Sequence, residues 1–447
     1  MHFRNLVACS TLFVASILPL PTARAADPMT LTARLAYPVM QSGEKQNYLR
    51  IGLNGCEPQR KAERTPVNVA FVIDRSGSME GARIAQAREA AIMAIKRLDP
   101  NDIASVVIFD DKVNLIVPAQ KVANVDDFIE PIRRIGVRGS TAIHAGVSAG
   151  ADEVRKFKDP RRLNRVVLLS DGLANVGPSL PADFAALGRK LLAEGISVST
   201  IGLGASYNED LMLQLARASD GNHAFASAPT DLIQIFNREF DDVLASCAQM
   251  VSIDVELKAG VRLVRALSRD GEVEANRAHF MLNQVYAATE HYVLLELAFD
   301  DTTAKDEQDF GRVQIAYAAP DTDARQTIDA TIRGRFSASA DEPKAKLDRG
   351  VMEAVVEQTT RERAEQAVAL RDRGMTDEAR KLFQQNASEI RAYQLSAAKP
   401  SRALQSLVDQ YESFANVAPA SAPALWNQQR KALRQLNSGA AAVGTRY

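Results

Sequence analysis

The chain has 447 residues, a formal net charge of −1 and 46% hydrophobic residues. This length allows about two or three domains with substantial apolar cores. The nearly balanced charge argues against a nucleic-acid-binding protein, because a surface that binds phosphates normally needs an excess of basic residues.

Residues 1–25 are predicted to be a secretory signal peptide. Arg4 precedes an apolar run at residues 12–20, and residues 23–25, Ala-Arg-Ala, form a small-x-small cleavage site. The alternative, a transmembrane anchor, needs about 20 apolar residues, and this run is too short. We therefore expect a mature chain without a transmembrane segment in an extracytoplasmic location, either periplasmic or secreted.

Residues 26–60 are predicted to form the first part of a β-sandwich. Apolar side chains alternate from Leu31 to Tyr37, and a second strand is indicated at residues 48–53. Two strands are not stable alone in water. They are therefore expected to pair with strands from elsewhere in the chain.

Residues 67–79, VNVAFVIDRSGSM, are a nearly continuous apolar run that ends in Asp74, Ser76 and Ser78. Such a run is typical of a strand that is buried on both faces of a parallel sheet. Open α/β sheets bind ligands at the carboxyl ends of their strands. The three polar residues are therefore candidates for a binding site.

Two later segments add to this pattern. Thr141 lies in RGSTAIHAG, and Asp171 directly follows an apolar strand at residues 166–170. The three segments, in this order, resemble the metal-ion-dependent adhesion site of the von Willebrand factor type A (VWA) family. The resemblance covers residues 61–247 and implies a doubly wound, mostly parallel α/β sheet.

The pattern of apolar residues between these segments alternates between strands and helices, as the family's fold requires. The predicted strands are 103–109, 113–117, 166–170, 196–202 and 222–225, and the predicted helices are 84–98, 126–134, 141–156, 182–194, 209–218 and 231–245.

The resemblance implies that five side chains hold a divalent ion: Asp74, Ser76, Ser78, Thr141 and Asp171. Their oxygen atoms suit Mg²⁺, with Mn²⁺ or Ca²⁺ as alternatives. Two carboxylates and three hydroxyls satisfy the ion only in part, so an acidic side chain of a partner protein can complete the coordination. The alternative is that Asp74 and Ser76 are turn and helix-capping residues without a metal. Asn175 either braces the loop of Asp171 or is a plain turn residue.

Cleavage of the signal peptide would leave two cysteines, Cys56 and Cys247. In an oxidising compartment they are candidates for a disulfide. They lie just before and just after the segment that resembles a VWA domain, whose two ends should be close if the domain is inserted into another one. The alternative is a pair of separate buried thiols.

Residues 248–338 alternate again, as in Val251, Ile253 and Val255, and are predicted to form the second part of the β-sandwich. Residues 339–415 are predicted to form a helical hairpin or bundle, and residues 416–447 a linker and tail. The predicted fold class is therefore α/β: a doubly wound VWA sheet inserted into a β-sandwich and followed by an α-helical region.

These features favour a non-enzymatic protein that binds a partner protein through a metal ion, for adhesion or for assembly of a complex. One alternative is a scaffold with a structural metal site, in which the helical region binds the partner. A metal-dependent hydrolase is the other alternative. It is disfavoured because the sequence shows no general base besides the metal ligands and no HExxH motif.

Overall fold

The structure is a computed structural model. It describes residues 29–56, 65–171, 174–204, 209–226, 231–232, 235, 246–287, 289–303, 305–319, 325–396, 400–416, 426–427, 429–431, 433–434 and 443–445. The predicted signal peptide, and most of the helix predicted at 231–245, lie outside these residues.

Strands and helices are numbered along the chain. The strands are β1 Thr30–Leu35, β2 Val39–Gln41, β3 Gln46–Asn54, β4 Val67–Asp74, β5 Ile103–Phe109, β6 Val113–Lys121, β7 Leu163–Ser170, β8 Ser197–Leu203, β9 His223–Ala226, β10 Ser246–Leu257, β11 Val261–Ala266, β12 Glu272–Val273, β13 Arg277–Tyr286, β14 Thr289–Phe299, β15 Lys305–Ala318, β16 Arg325–Ser337 and β17 Val443–Thr445. The α-helices are α1 Ala82–Ile95, α2 Asp126–Arg133, α3 Ile143–Lys156, α4 Pro181–Ala193, α5 Glu209–Ala218, α6 Glu342–Ala345, α7 Arg349–Asp372, α8 Thr376–Ser396 and α9 Arg402–Asn416.

The α/β domain is built on a six-stranded sheet in the order β6-β5-β4-β7-β8-β9. All neighbouring strands are parallel except β5 and β6, which are antiparallel. All eight residues of β4 are buried. Valine and isoleucine fit this environment, since both faces of a parallel sheet are covered by helices.

Alternate side chains of β4 enter two separate apolar cores. Phe71 and Ile73 pack in the core formed with α1 and α2, whereas Ala70 and Val72 pack in the core formed with α3, α4 and α5. The chain leaves β4 towards β5 on one side and later returns to β7 on the other. The carboxyl end of β4 is therefore the point where the strand order reverses, which is where open α/β sheets bind ligands.

The strands outside this domain form two further sheets. One has the order β1-β3-β14-β11, with β17 also paired to β14, and the other has the order β12-β13-β10-β15-β16-β2. Side chains of both sheets, such as Ile51 and Leu295 on one and Ile253 and Ile315 on the other, share one apolar core. The strands before the α/β domain are thus completed by strands after it, and the predicted fold class is confirmed.

The chain passes from the β-sandwich into the α/β domain and later returns, and a disulfide joins these two connections. Cys56 and Cys247 form a disulfide with a Cα–Cα distance of 5.7 Å, across 191 positions of sequence. The prediction of a disulfide is confirmed, and the alternative of two separate thiols is excluded. The bridge fixes the two ends of the inserted domain next to each other.

The C-terminal region contains three long helices, α7, α8 and α9, around a core that includes Phe383 and Tyr411. Helix α7 also packs on the outer face of the sandwich, where Val351 and Val355 share an apolar cluster with Tyr292. No helix among the described residues is both long and apolar enough to cross a membrane. The domain boundaries drawn from the sequence remain predictions.

Candidate metal centre

Three loops meet at the carboxyl edge of the central sheet. The first follows β4 and contains a short 3₁₀ turn at Gly77–Met79. The second, between α2 and α3, is hydrogen-bonded to it through Arg138 N to Arg75 O at 2.8 Å and Gly77 N to Gly139 O at 3.1 Å. The third begins after β7. Each loop carries at least one of the five side chains predicted to hold an ion.

Asp74 is fully buried at the end of β4. One carboxylate oxygen accepts the backbone N–H of Ser76 at 2.8 Å, and the other accepts the hydroxyl of Ser170 at 2.5 Å. Burial nevertheless raises the pKa of Asp74 to about 6, and the nearby charge of Asp171 adds to this shift. The hydrogen bonds from Ser76 and Ser170 thus compensate the buried charge only partly, and a cation would stabilise it further.

A chain of side-chain contacts links the first loop to the third. The hydroxyl oxygens of Ser76 and Ser78 lie 3.0 Å apart, and the Ser78 hydroxyl donates to Asp171 Oδ1 at 2.8 Å. Ser76 and Asp171 are buried, whereas Ser78 is exposed. These contacts therefore link two buried side chains through Ser78, which a partner could reach from solvent.

Thr141 is brought to the same edge through its backbone. The predicted helix at 141–156 begins two residues later, at Ile143, so that Thr141 lies in the preceding loop. The N–H of Thr141 donates to the side-chain oxygen of Asn175 at 2.7 Å, and the backbone N–H of Asn175 donates to the carbonyl of Thr141 at 3.1 Å. Asn175 therefore braces the loop of Thr141 against the loop that follows Asp171.

Arg83, in the first turn of α1, was not anticipated from the sequence. One guanidinium nitrogen donates to Asp171 Oδ2 and to the carbonyl of Ser78, both at 2.7 Å. The Asp171 side chain is fully buried and that of Arg83 is 37% exposed. Both oxygens of Asp171 are thus engaged, one by a hydroxyl and one by a guanidinium.

Two further arginines lie beside the site but bind a different acid. Arg75 and Arg138 contact the same oxygen of Asp110, at 2.6 and 3.0 Å. Burial alone would raise the pKa of Asp110, but the N–H of Lys112 and the two guanidinium groups lower it on balance. Asp110 is therefore a firmly ionised structural carboxylate, in contrast to Asp74.

The residues present fit a hard divalent ion. They offer two carboxylates and the hydroxyls of serine and threonine, which suit Mg²⁺, Mn²⁺ or Ca²⁺ better than softer metals. Over the described part of the chain, no group of three or more His, Cys, Asp or Glu side chains is placed to hold a metal. Binding at this edge would therefore depend on the hydroxyl groups.

Comparison with known proteins identifies the α/β domain. Residues 68–238 match the family model of the von Willebrand factor type A domain. The protein sll0103 of Synechocystis sp. is 29% identical over 195 residues, which are 44% of this chain and 46% of that protein. The chain spans less than half the length of the curated relatives it matches.

Solved structures share the whole architecture at low identity. A von Willebrand factor type A protein from Catenulispora acidiphila has a TM-score of 0.75 and 14% identity, with 94% of this chain and 98% of that chain covered. The ArnB paralog VWA2 from Sulfolobus acidocaldarius has a TM-score of 0.60 and 16% identity, with 92% and 99% covered. These likenesses concern the fold alone. The family model, matched at residues 68–238, is what identifies the inserted α/β domain of this chain as a von Willebrand factor type A domain.

Proposed function

We propose that this protein binds a partner protein through a divalent ion, most suitably Mg²⁺, at the carboxyl edge of its VWA sheet. Asp74, Ser76, Ser78, Thr141 and Asp171 would hold the ion, and an acidic side chain of the partner would complete the coordination. The observation that carries this proposal is the contact chain from Ser76 through Ser78 to Asp171, next to the incompletely compensated charge of Asp74.

The exposure of Ser78, between the buried Ser76 and Asp171, supports a binding role. Ser78 is open to solvent, so a ligand on an ion beside it would come from outside the protein. Arg83, which binds Asp171 at this edge and is partly exposed, would favour the approach of an acidic partner. The disulfide supports an extracytoplasmic location, because such bonds persist in oxidising compartments.

A hydrolase is less well supported. The buried carboxylates at this edge are already engaged by hydrogen bonds or arginines, and a hydrolase needs a general base within reach of its water. His144, one turn beyond Thr141, packs edge-on against Phe184 with ring centroids 5.9 Å apart. We therefore propose that the protein is not an enzyme.

The test is a pull-down from envelope extract with the purified mature protein in Mg²⁺ and in EDTA. Asp74→Ala and Thr141→Ala should lose the partner that the wild type captures in Mg²⁺. Asp152→Ala, at an aspartate on α3 whose side chain is 69% exposed, is the matched control and should retain it. Circular dichroism would verify that each variant is folded.

Capture that is indifferent to chelator and to both site variants would refute the proposal. It would favour instead a scaffold that binds its partner through the helical region, which exposes Leu395 and Met375. Substitutions on that surface, with the metal loops intact, would then abolish capture.

A further inference from the structure

Arg83 is the cation that this chain itself supplies to the candidate metal centre. It lies in the first turn of α1, while the carboxylate that it binds follows β7, 88 positions later. Its guanidinium group reaches back over the first loop and joins Ser78 to Asp171. The contact therefore connects two of the three loops that form the site.

The fold leaves room for this side chain. Gly204 follows β8, has φ of +75°, and lies so close that a Cβ at this position would be 3.1 Å from Arg83 Nε. A larger residue would crowd the guanidinium and strain the backbone. The absence of a side chain at position 204 therefore leaves room for the guanidinium group.

The ion pair is not an ordinary surface salt bridge. Asp171 is fully buried, so its interaction with Arg83 is screened much less than a pair between exposed side chains would be. Because Arg83 holds Oδ2 and Ser78 holds Oδ1, the carboxylate is also fixed in orientation, with Oδ1 on the side of the serine hydroxyls.

We propose that Arg83 lowers the affinity of the metal centre for the ion alone and raises the affinity of the ion-loaded centre for an acidic ligand. This inference rests on the function proposed above. The two carboxylates of Asp74 and Asp171 would cancel the charge of a divalent ion. Arg83 offsets one of them, so that the loaded centre keeps a net positive charge, which the carboxylate of a partner neutralises.

Reciprocity extends this argument. Binding of the ion and binding of the acidic ligand raise each other's affinity by the same factor. Arg83 would increase this factor, because it lowers the affinity for the ion alone and raises the affinity of the ion-loaded centre for an acid. The ion would then be retained mainly when a partner is bound. Arg83 acts in this scheme as a positioning and charge-setting residue, not as a ligand of the ion.

Arg138 provides a matched comparison within the same edge. Its side chain is 55% exposed and binds Asp110 instead of Asp171. Removing it deletes the same charge from the neighbourhood but leaves both oxygens of Asp171 engaged. Comparison of the Arg83 and Arg138 variants therefore separates a direct effect through Asp171 from a general change in the electrostatic potential at this edge.

The experiment is a titration of the full mature chain with Mn²⁺, followed by electron paramagnetic resonance of the free ion. Wild type, Arg83→Gln, Arg83→Lys, Arg138→Gln and Asp171→Asn are compared in sodium acetate and in sodium chloride of equal ionic strength. Arg83→Gln should bind Mn²⁺ about tenfold more tightly in chloride, because a positive charge beside the ion is removed. Acetate should tighten Mn²⁺ binding in wild type and in Arg83→Lys, and much less in Arg83→Gln.

Arg138→Gln should stay within about twofold of wild type, since its charge is more exposed and farther from Asp171. Equal or weaker Mn²⁺ binding by folded Arg83→Gln would overturn the inference, as would an Arg83→Lys variant that behaves like Arg83→Gln. Absence of Mn²⁺ binding by wild type, or binding that survives Asp171→Asn, would refute the proposed function itself. Thermal unfolding in EDTA would show that each variant is folded.

Discussion

The amino and carboxyl ends of the VWA sheet both bury a carboxylate, but they surround it with different donors. At the amino end, Asp102 is fully buried and accepts the backbone N–H groups of Val67 and Asp99, both at 2.7 Å. At the carboxyl end, Asp74 is equally buried but accepts one backbone N–H together with hydroxyl groups of Ser170 and Ser76. A hydroxyl can reverse its role from donor to acceptor, whereas a backbone N–H cannot.

This difference separates a structural carboxylate from a candidate binding group. At Asp102, two fixed backbone donors tie together two segments of the fold. At Asp74, burial raises the pKa to about 6, and the hydrogen bonds from Ser170 and Ser76 lower it only in part. Burial alone therefore does not indicate function; the kind of donor around the buried charge is more informative.

The largest expected effect on the free energy of unfolding comes from protonation of a buried histidine near the amino end of the sheet at low pH. His291 lies where the sandwich meets this end and is 5% exposed. Burial lowers its pKa to about 4; Arg269 adds to the shift and Asp220 opposes it. A histidine that is neutral in the fold, but has a pKa near 6.5 when unfolded, removes stability as the pH falls from about 6.5 towards 4.

We therefore expect His291→Gln to recover about 2–3 kcal/mol of the unfolding free energy that wild type loses between pH 7.5 and 4.5. Urea unfolding at the two pH values measures this difference. His223, whose pKa burial also lowers to about 4, contributes equally to wild type and variant. The control is His279→Gln, at a histidine whose side chain is 40% exposed. A His291→Gln profile parallel to that of wild type would contradict the prediction.

The next effect tests the fixed donors directly. Asn at position 102 has one acceptor oxygen and an NH₂ group, so one of the two backbone N–H groups would face another donor. We expect Asp102→Asn to lower the unfolding free energy by about 2 kcal/mol, the usual cost of a buried unsatisfied polar group. Urea unfolding at pH 7.5 in EDTA measures this loss. Stability equal to that of wild type would show that the loop can rearrange its donors.

Replacing the buried aspartate by asparagine at the carboxyl end of the sheet should instead raise the free energy of unfolding. Asn at position 74 can accept the N–H of Ser76 and donate to Ser170, whose hydroxyl then accepts. Because the raised pKa shows that the ionised form is disfavoured, Asp74→Asn should stabilise the protein in EDTA by about 1 kcal/mol at pH 7.5. Added Mg²⁺ should raise the melting temperature of wild type and leave that of Asp74→Asn unchanged. Destabilisation in EDTA would make Asp74 a structural residue like Asp102.

The sequence was sufficient for the parts of the fold that depend on local pattern. The apolar run of β4 predicts a central strand, and its polar end predicts a site at the sheet edge. The register between β3 and β14, with Leu49 opposite Leu295, is not readable in the same way. Alternation identifies the buried face of each strand, but several partners with the same alternation compete for it.

The candidate site shows the same limit. Asp74, Ser76 and Ser78 are recognisable because they are adjacent in one loop. Ser170 and Arg83 are missing from the prediction because their roles depend on where side chains from separate elements point. An arginine in the first turn of a helix has no signature that separates it from a solvated surface residue, and only the space at Gly204 marks its position.

The disulfide between Cys56 and Cys247 also has a mechanical consequence. A pulling force between the two halves of the sandwich would reach these cysteines on both sides of the insertion. The disulfide would carry this tension directly from one cysteine to the other. The 191 positions of chain between them, which include the VWA domain, would then bear no load. A partner bound at the proposed metal centre would then load the domain through its own contacts, while tension along the chain passes beneath the domain without pulling apart the three loops at its carboxyl edge.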